Sequence, residues 1–325
     1  MIISICISCY RPTQKSVLNF RRVLDVLRLH KGLVECRYLI NGTMGSECEE
    51  KILALSKKNN SPEMHLRELQ ENIGIGAAYQ LLAQNSICKY VMFTGDDDLV
   101  SVEHISESID FLLQNNAVDI VHQFLDDQGY SENVAYSGLC DINHPLFRVF
   151  QAYLGYRFGA LPGCIFRQSL IGETIDWTGK LYPWVQLVFS KEVSVIGVQN
   201  LKNRITVDPG PPPSQRFNDK VVRGLDYGLN ERLQYVCSEN VLTASVYYFL
   251  LFGWFRKVNK LIEQRDTILA WKMRDAVKLR ETNFFSQTVF KFSFIRPYFF
   301  LLISVGGLAW NVYKVYKKVY SRFNF

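Results

Sequence analysis

Tyr90-Val91-Met92-Phe93-Thr94-Gly95-Asp96-Asp97-Asp98 is the stretch on which the fold of this chain turns. Lys89 to Thr94 is a short apolar run bounded by a turn signal, the pattern of a buried strand. A glycine and three successive carboxylates then stand at its carboxyl end. In parallel α/β sheets ligands bind at that end of the strands, above all where strand order reverses. Three adjacent carboxylates repel one another unless a cation or a ring of donors stabilises them. A hard divalent ion such as Mn2+ or Mg2+ takes one or two carboxylates and completes its shell from water and phosphate. On strand-like alternation, Asp96 and Asp98 form the metal-facing pair and Asp97 turns elsewhere. The plainer alternative is a solvated acidic loop ahead of the helix that starts near Val102.

Outward from this stretch, the first third of the chain alternates strand and helix patterns, which favours a largely parallel sheet with crossover helices. Ile2 to Ile7 reads as a strand buried on both faces. Ser16 to Leu29 has helical spacing through Val17, Phe20, Leu24 and Leu27. Arg37 to Ile40 reads as a second strand, closed by Asn41-Gly42. Glu49 to Lys57 reads as a helix, Met64 to Leu69 as a strand, and Ala77 to Gln84 as a helix. Beyond the acidic triplet come a helix over Val102 to Asn115 and a strand over Asp119 to Phe124. Asp126 to Pro145 reads as an excursion loop with room for a hairpin. Leu161 to Phe166 and Val193 to Val198 are further strands, with a helix from about Pro183 to Ser190 between them. Four prolines and a glycine between Asp208 and Ser214 mark a stiff linker. These patterns divide the chain into an α/β domain over residues 1–215, a helical region over 216–288 and an apolar, basic segment over 289–325.

Four motifs in order resemble the family 2 glycosyltransferases. Ile2 to Arg11 is similar to the family's opening strand and its Thr-Tyr-Asn-Arg-like turn, with Cys9 in place of the Thr and Tyr10 matching the aromatic. Asn72-Ile73-Gly74 resembles the Asn-x-Gly segment that opens the helix before the acidic motif. Phe93-x-x-Asp96-Asp97-Asp98 is most similar to enzymes that assemble bacterial surface polysaccharides, including abequosyltransferase-like members that build O-antigen. Gly163 to Arg167 looks like an acceptor-side Gly-x-x-x-Arg element. The resemblance covers residues 1–125 well and thins beyond them. It implies a GT-A fold (Rossmann-like, mainly parallel), a nucleotide-diphosphate sugar donor, Mn2+ or Mg2+ held by Asp98 and Asp96, and inversion at the anomeric carbon. In that reading Ser8, Cys9 and Tyr10 border the base. Asp96 or Asp97 accepts from ribose or sugar hydroxyls, and Asn41, Asn72 and Gly74 complete the donor side.

Two departures stand out. The family's second strand ends in an Asp that contacts the base, and Ile40 occupies that position. The family's catalytic base opens a helix, whereas here that helix begins Tyr182-Pro183-Trp184 without a carboxylate. Asp176 is the favoured replacement for the base that an inverting mechanism needs, ahead of Glu173, Asp141 and His144. Trp177 and Trp184 flank the same region, as core residues or as platforms for sugar faces.

Composition narrows the classes further. From Val289 to Phe325 there are six basic residues and no acidic one. Taking those six from the 37 Lys and Arg leaves 31, as many as the Asp and Glu. The net charge of +6 is thus the tail's own. A nucleic-acid binder carries its charge as stripes across the fold, so no nucleic acid partner is expected. A basic tail beside an apolar run suits an anionic membrane surface. The seventeen uncharged residues Pro297 to Tyr313 are at the short limit for a span. They fit an in-plane or shallowly inserted helix, the alternative being a hydrophobic helix packed on the protein. Eight scattered cysteines form no zinc spacing, and the lone Cys6-x-x-Cys9 lies in a strand whose residues three apart face opposite sides. Reduced structural thiols fit a reducing cytosol, and no signal peptide is read at the N-terminus. The expectation is an enzyme at the cytoplasmic face of a bacterial inner membrane, acting on a lipid-linked glycan. Its rivals are a catalytically inactive GT-A-like membrane-associated scaffold and a sugar nucleotidyltransferase, whose Gly-rich basic loop after the first strand Arg11-Pro12-Thr13-Gln14 does not supply.

Overall fold

A computed structural model describes residues 1–123, 138–157 except 146, 164–199 except 173–175 and 181, and helical pieces within 242–250 and 304–314. The linker read over Asp208 to Ser214 and most of the helical region over 216–288 lie outside the described residues. So do Glu173, the start of the strand read over Leu161 to Phe166, and with it Gly163 of the acceptor-side motif.

In chain order the elements are β1 (Ile3–Cys9), α1 (Gln14–Leu29), β2 (Val34–Asn41), α2 (Glu47–Asn59), β3 (Met64–Leu69), α3 (Ile75–Gln84), β4 (Tyr90–Gly95) and α4 (Val102–Gln114). There follow β5 (Ile120–Gln123), β6 (Gly138–Asp141), α5 (Phe147–Arg157), β7 (Cys164–Arg167), α6 (Pro183–Val188) and β8 (Val195–Gln199). The eight strands form one sheet in the order β3-β2-β1-β4-β7-β5-β8-β6. β1 to β4 run parallel, and β5 and β8 share their direction. β7, between β4 and β5, and β6, at the far edge, run antiparallel. The chain builds outward from β1 through β2 to β3 and then returns to lay β4 on the other side of β1. That reversal opens a crevice at the carboxyl ends of β1 and β4, the place where doubly wound sheets bind ligands.

The central strands are apolar because both of their faces are covered. On one face Ile3, Ile5 and Ile7 of β1, Val34, Cys36, Tyr38 and Ile40 of β2, and Met92 of β4 pack with the apolar stripes of α1 and α4. On the other, Tyr79 of α3 meets Phe93 of β4 and Trp184 of α6 edge-on, with ring centroids 5.3 and 5.9 Å apart. Trp177 closes on Phe93 at 5.9 Å. Trp177 and Trp184 are each 1% exposed, so both are core residues and offer no face to a sugar.

Residues 138–141, read as part of an excursion loop, form an edge strand paired with β8. The helix over 147–157, unmarked in the sequence reading, belongs to a second compact unit. The first unit comprises residues 1–142 and 160–209, the second 143–159 and 210–325. Within the second, Trp310 stacks on Tyr153 at 5.3 Å. Gly306 and Gly307 lie against Ser245 and Phe249 so tightly that a Cβ on Gly306 would come within 2.1 Å of the Ser245 carbonyl oxygen. The opposite side of that helical piece exposes Val305, Leu308 and Val312. Among the described residues no helix is long and apolar enough to cross a membrane.

Candidate active site

Strand register assembles the site. Ser8 pairs with Gly95 and Cys9 with Ile40, while Asn41 pairs with Leu69. The turn after β1, the Asn41-Gly42 turn after β2 and the acidic triplet after β4 therefore share one edge of the sheet. The elements themselves are held by their own caps. Thr13 caps α1, and Ser16 reciprocates by accepting from the Thr13 amide at 2.8 Å.

The three carboxylates have three different environments. Asp96 is turned inward: Oδ2 accepts from Ser16 Oγ at 2.5 Å and from the Cys9 thiol at 3.0 Å. Burial raises its pKa above the ordinary carboxylate value, with the hydrogen bonds from Cys9 and Ser16 acting against that rise. Burial and the adjacent Asp96 charge push the Cys9 thiol up as well, so it stays a neutral donor. Asp98 is 7% exposed and folds back to accept from the Gly95 amide at 2.9 Å. Asp97 is exposed. A Cβ on Gly95 would lie 2.6 Å from Asp98 Oδ2 and 2.9 Å from Asp97 Oδ1. Asp97 and Asp98 thus converge over the space that the missing side chain leaves open.

Asn19 of α1, fully buried, fastens this loop at both ends. Its Oδ1 accepts from the Val100 amide at 3.1 Å and its Nδ2 donates to the Gly95 carbonyl at 3.4 Å. Tyr79 fixes the strand just before, donating to the Thr94 carbonyl at 2.8 Å. Neither residue figures among those picked out from sequence. The available signal was an asparagine on the apolar arc of α1, between Ser16 and Val23.

The donor-side residues fall into two groups. Tyr10, 45% exposed, and half-buried Ser8 lie at the crevice mouth beside Cys9. Asn41 is 2% exposed, and its amide bonds the next loop: Oδ1 accepts from the Ile73 amide at 2.9 Å, and Nδ2 donates to the Gly74 carbonyl at 3.4 Å. Asn72 is exposed and accepts from the Gly74 amide at 2.8 Å. Gly74, at φ 84°, is the left-handed turn that lets the chain enter α3. The Asn41 side chain thus holds the Asn72-Ile73-Gly74 loop in shape, and Asn72 is the member open to a ligand.

On the acceptor side, a Cβ on Gly76 would come within 2.2 Å of the Trp177 carbonyl oxygen and 2.6 Å of that of Lys180. The 176–180 turn therefore packs directly on the start of α3, which places Asp176 at the same edge as the triplet. Asp176 is exposed and accepts from the Thr178 amide at 2.8 Å, a bond that holds its carboxyl below the usual range. Asp141 is elsewhere: it pairs with Val195 at the start of β8, four strands from β4 at the opposite edge. Arg167 of the Gly-x-x-x-Arg motif is also at that opposite edge. β7 runs antiparallel to β4, so its carboxyl end meets Tyr90, and Arg167 pairs with Asp119 at 3.0 Å.

Among the described residues no three His, Cys, Asp or Glu side chains converge on one point. The Asp97–Asp98 cradle over Gly95 nonetheless suits a hard divalent ion that takes two carboxylates and completes its shell from water and a diphosphate.

No family model and no curated protein matches the sequence. Solved structures do match the fold. Residues 1–349 of TarS from S. aureus superpose with a TM-score of 0.54 at 14% identity, covering 85% of this chain and 81% of that one. The UDP complex of the same fragment gives 0.53 at 15%, covering 100% and 93%. Against the longer TarS structure this chain spans about half, 53% of that chain. The mannosyltransferase PcManGT from Pyrobaculum calidifontis, in complex with GDP-Man and Mn2+, gives 0.51 at 8% identity, covering 94% and 86%. With its switch-point crevice, mainly parallel sheet and these neighbours, the chain has the GT-A fold.

Proposed function

We propose that this protein is an inverting, divalent-metal-dependent glycosyltransferase that moves a sugar from a nucleotide diphosphate to a lipid-linked surface-polysaccharide acceptor of the O-antigen type. The observation that carries the reading is the acidic triplet, held at the switch point of a GT-A fold with two carboxylates converging over Gly95. Nucleotide recognition is supported by the neighbours, whose own complexes contain UDP or GDP-Man.

In this reading Asp97 and Asp98, rather than the Asp96–Asp98 pair expected from sequence, would hold Mn2+ or Mg2+, because Asp96 Oδ2 is taken up by Ser16 and Cys9. The ion would supply charge stabilisation for the departing diphosphate. Asp96, tied to Ser16 and Cys9, braces the loop and offers its remaining oxygen to a ribose or sugar hydroxyl. Tyr10 and the backbone at Ser8 and Cys9 border the base, beside Asn72. Asp176 takes the proton from the acceptor hydroxyl. Its hydrogen bond from Thr178 keeps it ionised at neutral pH, as a base must be, although a lowered pKa makes it the weaker for that task. The exposed apolar strip of the 304–312 helical piece and the basic residues after it support attachment to the cytoplasmic leaflet of a bacterial inner membrane.

The test is binding of a panel of nucleoside diphosphates with and without Mn2+ by the wild type, Asp97→Asn and Asp98→Ala. Mn2+-dependent binding by the wild type, lost in both variants, is the expected result, and the base that binds names the donor. A wild type that binds none of the panel under any metal condition is instead a scaffold that keeps the fold.

A further inference from the structure

Arg11, the second residue past β1, has φ 62°. That is the left-handed region, where an L side chain crowds its own backbone and which glycine or asparagine enters at lower cost. The other described non-glycine residue with positive φ, Asn60, is the C-cap of α2, a place and a residue type that suit the conformation. Arg11 terminates no helix. What an arginine adds there is its guanidinium, whose Cζ lies 5.0 Å from the centroid of the Tyr10 ring. Both side chains are exposed. Among the described residues no carboxylate forms an ion pair with Arg11.

The location gives this cation a task. Cys9 bonds Asp96, so Arg11 stands two residues from a direct contact with the triplet, at the mouth of the crevice between β1 and β4. A diphosphate bound there meets three carboxylates. One divalent cation does not neutralise the assembly, and like charges in a partly desolvated crevice repel strongly. Backbone strain of this kind persists where the surrounding structure imposes it, and it clusters at ligand clamps.

Resting on the glycosyltransferase reading above, we infer that Arg11 is the protein's own cation for the donor diphosphate. Its guanidinium, braced on the Tyr10 ring, would donate to phosphate oxygens of the donor.

The experiment compares wild type, Arg11→Gly and Arg11→Asn as full chains, with three readouts: melting temperature, affinity for a nucleoside diphosphate in Mn2+, and affinity for the corresponding nucleoside. Both replacements adopt φ 62° easily, so both variants are expected to fold with a melting temperature equal to or above that of wild type. The diphosphate affinity is expected to fall about tenfold or more, the scale of a lost charge-assisted hydrogen bond, with nucleoside affinity unchanged. Diphosphate affinity within about twofold of wild type overturns the inference. So does an equal fall for nucleoside and diphosphate, which makes Arg11 a support for Tyr10 and the base alone. A wild type that binds neither ligand, with or without metal, sinks the glycosyltransferase reading itself, and is told apart because no variant is then needed to see it.

Discussion

At the scale of single residues, the site is a set of carboxylates whose environments set their tasks. Asp96 is the buried one, and its raised pKa means that the folded protein resists its ionisation. The sign follows. Its contribution to stability is intact below the ordinary value of 3.8 and is lost as pH rises through the higher folded value. Asp96→Asn keeps an oxygen for Ser16 and Cys9 and removes that burden. Without metal its melting temperature is expected to exceed that of wild type at neutral pH, with the gap closing toward pH 3.8; an equal or lower midpoint at neutral pH contradicts the assignment. Asn19 makes the opposite case. Asn19→Ala leaves the Val100 amide and the Gly95 carbonyl without their buried partner. A loss of roughly 1–3 kcal/mol in urea unfolding is expected, together with weakened Mn2+ binding because the loop is no longer pinned. The triplet was legible in the sequence because three adjacent carboxylates after a strand are chemically conspicuous. The asparagine behind it was not. On a helix that otherwise reads as an apolar stripe, Ser16 and Asn19 look like ordinary polar positions, and only the packing of α1 against the loop after β4 gives them partners.

At the scale of elements, two glycines separate structure from chemistry. Gly76 in the first turn of α3 faces backbone carbonyls of the 176–180 turn, which cannot swing aside, whereas Gly95 faces the ends of the Asp97 and Asp98 side chains, which can. Gly76→Ala is therefore expected to cost about 1–3 kcal/mol of stability through overpacking, and to displace Asp176, lowering transfer while Mn2+ binding survives in the folded fraction. Gly95→Ala is expected to melt close to wild type and to lose most of its Mn2+ affinity, read by titration against the metal. Similar behaviour of the two variants would mean that the cradle over Gly95 is incidental. The elements of the first third were readable to within about three residues at either end, because each strand and helix carries its own period. Which strands become neighbours is a longer-range matter. The insertion of β7 against the direction of β4, and the pairing of residues 138–141 with β8, depend on segments far apart in sequence and leave no periodic trace. For the same reason Arg167, promising as part of a motif, proved to be at the wrong edge of the sheet: a strand's direction decides which end of it meets the site.

At the scale of the whole molecule, the net positive charge of the sequence and one exposed apolar strip coincide near the C-terminus. The sequence left two readings of that segment, a helix in the membrane plane and a helix packed on the protein, and the described piece has features of both. Gly306, Gly307 and Trp310 are committed to neighbours within the second unit, while Val305, Leu308 and Val312, three and four residues apart, are 40, 67 and 54% exposed on one side. A helix fastened by one stripe and open along another suits the proposed in-plane attachment better than a crossing. Lys314, Lys317, Lys318 and Arg322 follow it directly, and each basic residue near an anionic surface adds about 1 kcal/mol of attraction at moderate salt. Wild-type protein is accordingly expected to sediment with vesicles containing phosphatidylglycerol, to do so less with purely zwitterionic vesicles, and to be largely released in high salt, which screens the charge but not the apolar contact. Leu308→Asp is expected to lower the vesicle-bound fraction about tenfold or more, since a fully inserted leucine contributes roughly 1.5–3 kcal/mol, with nucleoside diphosphate binding in solution unchanged. The same variant bound to vesicles as tightly as wild type would move attachment away from this strip, leaving the basic tail to act alone or the acceptor to be a soluble glycan. Loss of nucleotide binding together with vesicle binding would show instead that the helix supports the fold, because the residues proposed for the donor site all belong to the first unit.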